Sequence, residues 1–474
     1  MRLVVIGYGM AGARLVSEVH GRDPDIEITV LGAEPHRAYN RILLSNLIAG
    51  RSAEADVHLV EPAGRGVAVQ LDTAAVGIDR DARVVTTAAG QAIGYDRLVL
   101  ATGSQAVLPP IKGLVCDDGS LPDRVAAFRT LDDGRRILAL ADGADTALVL
   151  GGGLLGLEAA RGLAGRGLAV TVVHAVGHLM ERQLDPPAGA VLATTLGRLG
   201  IAVELDAAAV AVEAGEDRVE ARLADGRRLS ADLLVVACGV RPVTDLAEAA
   251  GLTVDRGITV DDRLRTSDRA IFAIGDCAQH AGVVGGLVAP AWDQARVVAD
   301  VVTGVRPLAR YAARPVVTRL KATGIDLATM GEATSDDGEV VTFADPARGT
   351  YAKLLVRADR LAGAIMLGDN PAVGTVIQLF DRGGRMPGDV RGLLLGRAGP
   401  GLERSGEASP ALIPDTAVIC QCNTVTKGAL VRCWQAGARC AADLVAGTRA
   451  GTGCGTCRDA VDGIAGWLQK EGTA

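Results

Sequence analysis

What this chain lacks narrows it first. No uncharged apolar run reaches the ~18 residues that a membrane-spanning helix needs, so no membrane partner is expected. No run of Lys and Arg appears and the formal net charge is −7, which argues against nucleic acid. Only three of the nine cysteines precede residue 420, so there is no disulfide framework of the kind spread through a secreted chain. Nothing like a secretory leader precedes the strand-like Arg2-Leu-Val-Val-Ile6, and the cytoplasm is the expected compartment.

What is present is glycine, with 61 residues, a count that favours tight turns and nucleotide loops, in a chain of 474 residues and ordinary globular composition. That length is enough for about three domains and a large buried core. The six late cysteines include Cys420-Gln-Cys422, then thirty-one residues, then Cys454-Gly-Thr-Cys457. Four thiolates in a CxC…CxxC arrangement satisfy the ligand requirement of a [2Fe–2S] cluster. The alternative is zinc, which normally uses two CxxC pairs and fits the CxC half poorly. Between the pairs, the pattern predicts a short helix from Thr426 with a stop at Gly437 and a second over Ala441–Gly447.

Upstream, Leu3–Ile6 reads as a buried strand followed at once by Gly7-Tyr-Gly9-Met-Ala-Gly12 and a helical pattern. Strand, GxGxxG and helix in that order make a dinucleotide loop, with the pyrophosphate at the helix N-terminus. Glu34 follows the next predicted strand, Ile26–Leu31, where a carboxylate can accept hydrogen bonds from a ribose. Leu98–Ser104 is a strand running into a small-residue turn that allows close backbone approach to the same nucleotide. Ala270–Asp276 is a buried strand ending in an acid able to hold the sugar-alcohol chain of a flavin. Trp292, in a predicted helix beginning near Ala289, could cover a ring system or simply pack in the core.

The glycine motif recurs as Gly151-Gly-Gly153-Leu-Leu-Gly156-Leu-Glu158, between the strands Thr146–Leu150 and Ala169–Val173. Two such units imply two dinucleotides, and one held flavin with one exchanging nicotinamide is the usual chemical pairing. His174 stands where an acid would mark NAD, and no arginine adjoins it for the phosphate of NADP, so NADH is preferred over NADPH. No CxxxxC pair accompanies Tyr39-Asn-Arg-Ile-Leu-Leu-Ser45, which disfavours chemistry through a flavin-proximal dithiol. That stretch also reads as too mixed for a simple core helix. Cys116, Cys238 and Cys277 are isolated and are expected to be buried thiols.

These segments, with Leu179-Met-Glu-Arg-Gln-Leu-Asp185, Gly239-Val-Arg-Pro242, Gly275-Asp-Cys277 and Leu320-Lys-Ala-Thr-Gly-Ile-Asp326, resemble a known family over essentially the whole chain. It is the flavoprotein part of NADH-dependent nitrite reductase large subunits and of electron-transfer subunits of assimilatory nitrate reductase. The end of the chain is similar to the bacterioferritin-associated-ferredoxin type of [2Fe–2S] domain. The resemblance implies FAD on Gly7, Gly9, Gly12, Glu34, Arg41, Thr102, Gly103 and Asp276. It implies nicotinamide on Gly151, Gly153, Gly156 and Glu158, and a cluster on Cys420, Cys422, Cys454 and Cys457. Val243-Thr244 departs from the family's usual Asn after Gly-Val-Arg-Pro.

The expected class is α/β, with two Rossmann-like domains of the pyridine nucleotide-disulfide oxidoreductase type, a small α+β third domain and a C-terminal helical [2Fe–2S] domain. The expected boundaries are 1–115 with 245–314 for FAD, 116–244 for NAD(P)H, 315–395 for the third domain, 396–415 for a linker and 416–474 for the cluster. The expected activity is electron transfer from NADH through FAD and the cluster to a molybdenum nitrate reductase catalytic subunit or another redox acceptor; a homodimer stays open. Competing readings are a nitrite reductase component or other FAD/[2Fe–2S] dehydrogenase, a ferredoxin or rubredoxin reductase with terminal zinc, and a non-enzymatic iron-handling or redox-sensing protein.

Overall fold

A computed structural model describes residues 1–59, 66–370, 372–394, 410–420, 423, 425–452 and 457–471. By internal contacts the chain divides into two compact units. One comprises residues 1–41, 53–106 and 240–314; the other comprises 42–52, 107–239 and 315–474.

The first unit is built on a five-stranded parallel sheet in the order Ile271–Ala273, Arg97–Leu100, Arg2–Ile6, Glu27–Leu31, Val67–Gln70. Its central strand is apolar on both faces, as a parallel sheet covered on both sides requires, and Leu3, Val4 and Val5 are at most 1% exposed. The helix Met10–Arg22 leaves the end of this strand and buries Leu15, Val16 and Val19. The helix Val288–Val302 supplies Ala295, Val298 and Ala299 to the same core. An antiparallel meander, Ala75–Asp79, Val84–Thr87 and Ala92–Gly94, is inserted between the outermost strand and Arg97–Leu100.

Residues 107–239 of the second unit repeat this plan. Five parallel strands run in the order Ile201–Glu204, Ala169–Val173, Thr146–Leu150, Leu233–Val236, Val125–Ala127. A three-stranded meander, Ala209–Ala214, Val219–Leu223 and Arg228–Ala231, occupies the corresponding insertion point. The repeat is therefore deeper than the glycine motif; only the origin of the fifth strand differs, coming later in the chain in one case and earlier in the other.

The alternation over 315–395 yields the expected antiparallel sheet, ordered Val317–Arg319, Leu327–Gly331, Arg360–Leu367, Thr350–Arg357, Glu339–Asp345. The helix Val373–Arg382 covers one face with Val376, Ile377 and Phe380. The other face carries a charge network around the buried Lys353. Lys353 Nζ lies 2.7 Å from Asp336 Oδ1 and 3.3 Å from Asp185 Oδ2, and the Tyr351 hydroxyl donates to Asp185 Oδ2 at 2.8 Å. Asp185 also caps the helix Pro186–Arg198 by accepting from the Ala188 amide at 3.0 Å. Burial and the Asp185 carboxylate push the Tyr351 phenol far above its usual range.

At the C-terminus a small module holds the hairpin Val418–Cys420/Val425–Thr426 and three helices, Lys427–Gln435, Ala441–Thr448 and Arg458–Glu471. Thr426 caps the first by accepting from the Ala429 amide at 3.2 Å, and Gly437 beyond it takes φ +125°, as the sequence predicted for a helix stop. Residues 395–409, which hold most of the expected linker, lie outside the described residues.

Candidate functional site

The two glycine loops share one geometry. Gly7 and Gly151 adopt φ +108° and +113°, a region that glycine tolerates and other residues avoid. A Cβ on Gly7 would run into the Ala101 carbonyl oxygen, and one on Gly12 into the Gly7 carbonyl oxygen. Gly151 and Gly156 are confined in the same way by the carbonyls of Ala237 and Gly151. The middle glycines differ: a Cβ on Gly9 or Gly153 would meet no atom within 4 Å. The outer two glycines thus serve loop–helix–strand packing. The middle one leaves open space at a helix N-terminus, where backbone can approach a pyrophosphate.

Around the first loop, Glu34 accepts from the Tyr39 hydroxyl at 2.7 Å and pairs with Arg41, whose guanidinium lies 5.1 Å from the Tyr39 ring centroid. Thr102 Oγ1 donates to the Val243 carbonyl at 2.7 Å, and Gly103 takes φ +74°. Asp276 sits in a single 3-10 turn, Gly275–Cys277, where it accepts from the Ser104 hydroxyl at 2.8 Å. Gln294 Oε1 steadies that turn by accepting from the Gly275 amide at 2.7 Å. No local pattern singled out Gln294, because its partner lies nineteen residues away, beyond the strands Ala278–His280 and Val283–Val284. Trp292 is 3% exposed and its indole N–H donates to the Met10 carbonyl at 3.2 Å, so it packs in the core behind the first loop.

Around the second loop, His174 is buried, and its Nδ1 accepts from the Gly152 amide at 3.1 Å. Its Nε2 lies 3.3 Å from Glu181 Oε2. The residue that replaces the expected acid is therefore a brace for the loop. Glu158 is 4% exposed and bound to Lys321: Oε1 accepts the Lys321 backbone N–H at 3.2 Å, and Oε2 lies 3.1 Å from Nζ. Lys321 Nζ also donates to the Ile42 carbonyl at 2.9 Å. The expectation that Tyr39–Ser45 avoids a simple core helix is corrected in part. Arg41–Leu43 is a 3-10 turn leading into the helix Leu44–Ile48, all five residues of which are buried.

Of the four cluster cysteines, Cys420 and Cys457 are buried in one apolar core with Val425, Leu430, Leu444, Val461 and Ile464. Cys422 and Cys454 lie outside the described residues. Buried-thiol expectations hold only for Cys277, which is fully buried and donates to the Ile274 carbonyl at 3.2 Å. Cys116 and Cys238 are exposed residues, a correction that follows from their place in the connections between strands. The Cys238 thiol, which donates to the Leu150 carbonyl at 3.5 Å, is pushed up to about 11 by desolvation.

Paired dinucleotide loops on twin parallel sheets, followed by a thiolate-bearing module, define a nucleotide-dependent electron-transfer flavoprotein. The family model for pyridine nucleotide-disulphide oxidoreductase matches residues 1–297, and the chain belongs to that family. The rubredoxin NAD+ reductase C-terminal domain matches 316–380, and the BFD-like [2Fe–2S] binding domain matches 418–466. The chain is 35% identical to nitrite reductase [NAD(P)H] of Bacillus subtilis (strain 168), over 98% of this chain and 57% of that protein. It is 34% identical to the assimilatory nitrate reductase electron transfer subunit of the same organism, over 98% of this chain and 59% of that protein. The chain thus spans less than two thirds of these relatives. Among solved structures, the covalent putidaredoxin reductase–putidaredoxin complex aligns with a TM-score of 0.73 and 25% identity, covering 81% of this chain and 93% of that chain.

The protein is accordingly an NAD(P)H-dependent oxidoreductase whose cofactors are FAD, NAD(P)H and a [2Fe–2S] cluster. The open space at Gly9 and Gly153 fits two pyrophosphates, and the buried thiols of Cys420 and Cys457 fit the cluster. No helix among the described residues is long and apolar enough to cross a membrane.

Proposed function

We propose that the chain draws electrons from NADH and delivers them, through FAD and the [2Fe–2S] cluster, to a molybdenum-containing nitrate reductase catalytic subunit in the cytoplasm. One observation carries the reading: two glycine loops of the same geometry and a four-cysteine module belong to one polypeptide. The name of the Bacillus subtilis electron transfer subunit, matched along 98% of this chain, supports the choice of acceptor.

FAD is assigned to Gly7, Gly9, Gly12, Glu34, Arg41, Thr102, Gly103 and Asp276, in a domain of residues 1–115 and 245–314. Nicotinamide is assigned to Gly151, Gly153, Gly156 and Glu158, in residues 116–244, and the cluster to Cys420, Cys422, Cys454 and Cys457. A flavin held by these residues would supply acceptance of a hydride from reduced nicotinamide and release of single electrons, which suits a one-electron cluster. The chain contributes binding and orientation. Gly9 and Gly153 admit the pyrophosphates, His174 braces the second loop through the Gly152 amide, and Ser104 orients the Asp276 carboxylate. No side-chain acid, base or nucleophile is needed, and none is assigned.

Anaerobic titration with NADH, followed by visible and EPR spectra, tests the order of transfer. Flavin bleaching should precede a cluster signal. Cys422→Ser should abolish that signal and the reduction of an acceptor while NADH still bleaches the flavin; loss of both together overturns the order. A role within an NAD(P)H nitrite reductase is the second reading, favoured by the 35% identical relative. It predicts that a companion chain turns over nitrite in place of nitrate.

A further inference from the structure

Asn46, in the buried helix Leu44–Ile48, reaches the C-terminal module within the same compact unit. Asn46 is 8% exposed, and its Nδ2 donates to the Thr452 carbonyl at 2.8 Å, across 406 residues of sequence. Its Oδ1 accepts from Arg51 Nη2 at 2.9 Å, and the Arg51 backbone N–H returns to the Asn46 carbonyl at 2.9 Å. On the module side, Thr452 Oγ1 accepts from Asn423 Nδ2 at 3.0 Å. Thr452 lies two residues before Cys454, and Asn423 follows Cys422 directly. Ile42 packs against the module's apolar core, and its carbonyl is held by Lys321, the partner of Glu158.

We propose that residues 42–52 form the docking platform of the cluster module, and that Asn46, acting as a donor to Thr452, is the positioning residue that fixes the turn at 449–452 on it. An amide buried with both ends engaged is costly to strand, so the contact specifies one orientation rather than a slippery apolar fit. The functional consequence, electron entry in the docked state, rests on the cluster reading above; the docking contact does not.

Hydrogen–deuterium exchange on the full-length holoprotein tests it with two variants. Asn46→Leu removes both interactions. Asn46→Asp keeps an acceptor for Arg51 but cannot donate to the Thr452 carbonyl. Both should raise exchange about tenfold in peptides covering 42–52 and 449–452, with the helix Lys427–Gln435 unchanged. Rapid-freeze EPR should show cluster reduction slowed while NADH bleaches the flavin at the wild-type rate. Wild-type exchange in Asn46→Asp overturns the proposal, because Asn46 then serves only Arg51. Exchange spreading through Lys427–Gln435 overturns it too, because Asn46 would then support the module's folding and not its docking. If the thiolates prove to hold zinc, the electron-transfer reading fails while the exchange result still decides the docking.

Discussion

At the scale of single residues, several buried charges among the described residues are paired with partners far away in sequence. Glu158 and Lys321, 163 residues apart, are the clearest case. Removing one member of such a pair strands the other, which typically costs about 3 kcal/mol or more. Glu158→Ala should therefore lower the denaturation midpoint of its unit, and adding Lys321→Met should recover part of the loss; equal midpoints for the single and double variants would show that the two do not interact. Lys353→Met should destabilise through Asp185, which would keep only the Tyr351 hydroxyl and the Ala188 amide. Cys238 offers a pH test. Its raised thiol stays protonated at pH 8, so alkylation there should be slow and should climb only as the pH approaches about 11. The sign follows from burial disfavouring the thiolate: any stability tied to this group is full at lower pH and is lost as the pH rises through that value. Rapid alkylation at pH 8 would contradict it.

At the scale of elements, the strand–loop–helix unit separates folding from binding within three glycines. Gly7→Ala and Gly151→Ala force a Cβ into a carbonyl oxygen at positive φ and should cost upward of about 1–3 kcal/mol of stability even without nucleotide. Gly9→Ala and Gly153→Ala meet nothing in the protein, so their stability in thermal unfolding should stay within about 0.5 kcal/mol of wild type. Their penalty should appear as flavin loss for Gly9→Ala and as a raised KM for NADH for Gly153→Ala. If all four variants unfold alike, the middle glycines also have a packing role. These units were legible in sequence to within a few residues, since Thr146–Leu150 and Ala169–Val173 are strands with the expected limits. Each depends on contiguous residues: apolar runs, a φ that needs glycine, and a helix that starts where the phosphate belongs.

At the scale of the whole chain, the C-terminal module has a core of few side chains, two of them the thiols Cys420 and Cys457. Domains this small lean on a metal, whose binding energy is folding energy. Stripping the iron with a chelator should melt the helices Lys427–Gln435 and Ala441–Thr448 while the flavin stays bound and NADH still bleaches it; a metal-free module with native ellipticity would show that the apolar core suffices. The sequence by itself determined the twin glycine loops, the CxC…CxxC spacing and the antiparallel third sheet. In each, the chemistry is written in neighbouring residues with a fixed backbone period. Only the tertiary structure decided that Glu158 is neutralised by Lys321, that His174 braces Gly152, that Asp185 gathers Tyr351 and Lys353, and that Asn46 meets Thr452. The physical reason is that spacing constrains a local turn, whereas a buried polar group takes whichever partner the packed chain brings within hydrogen-bond reach.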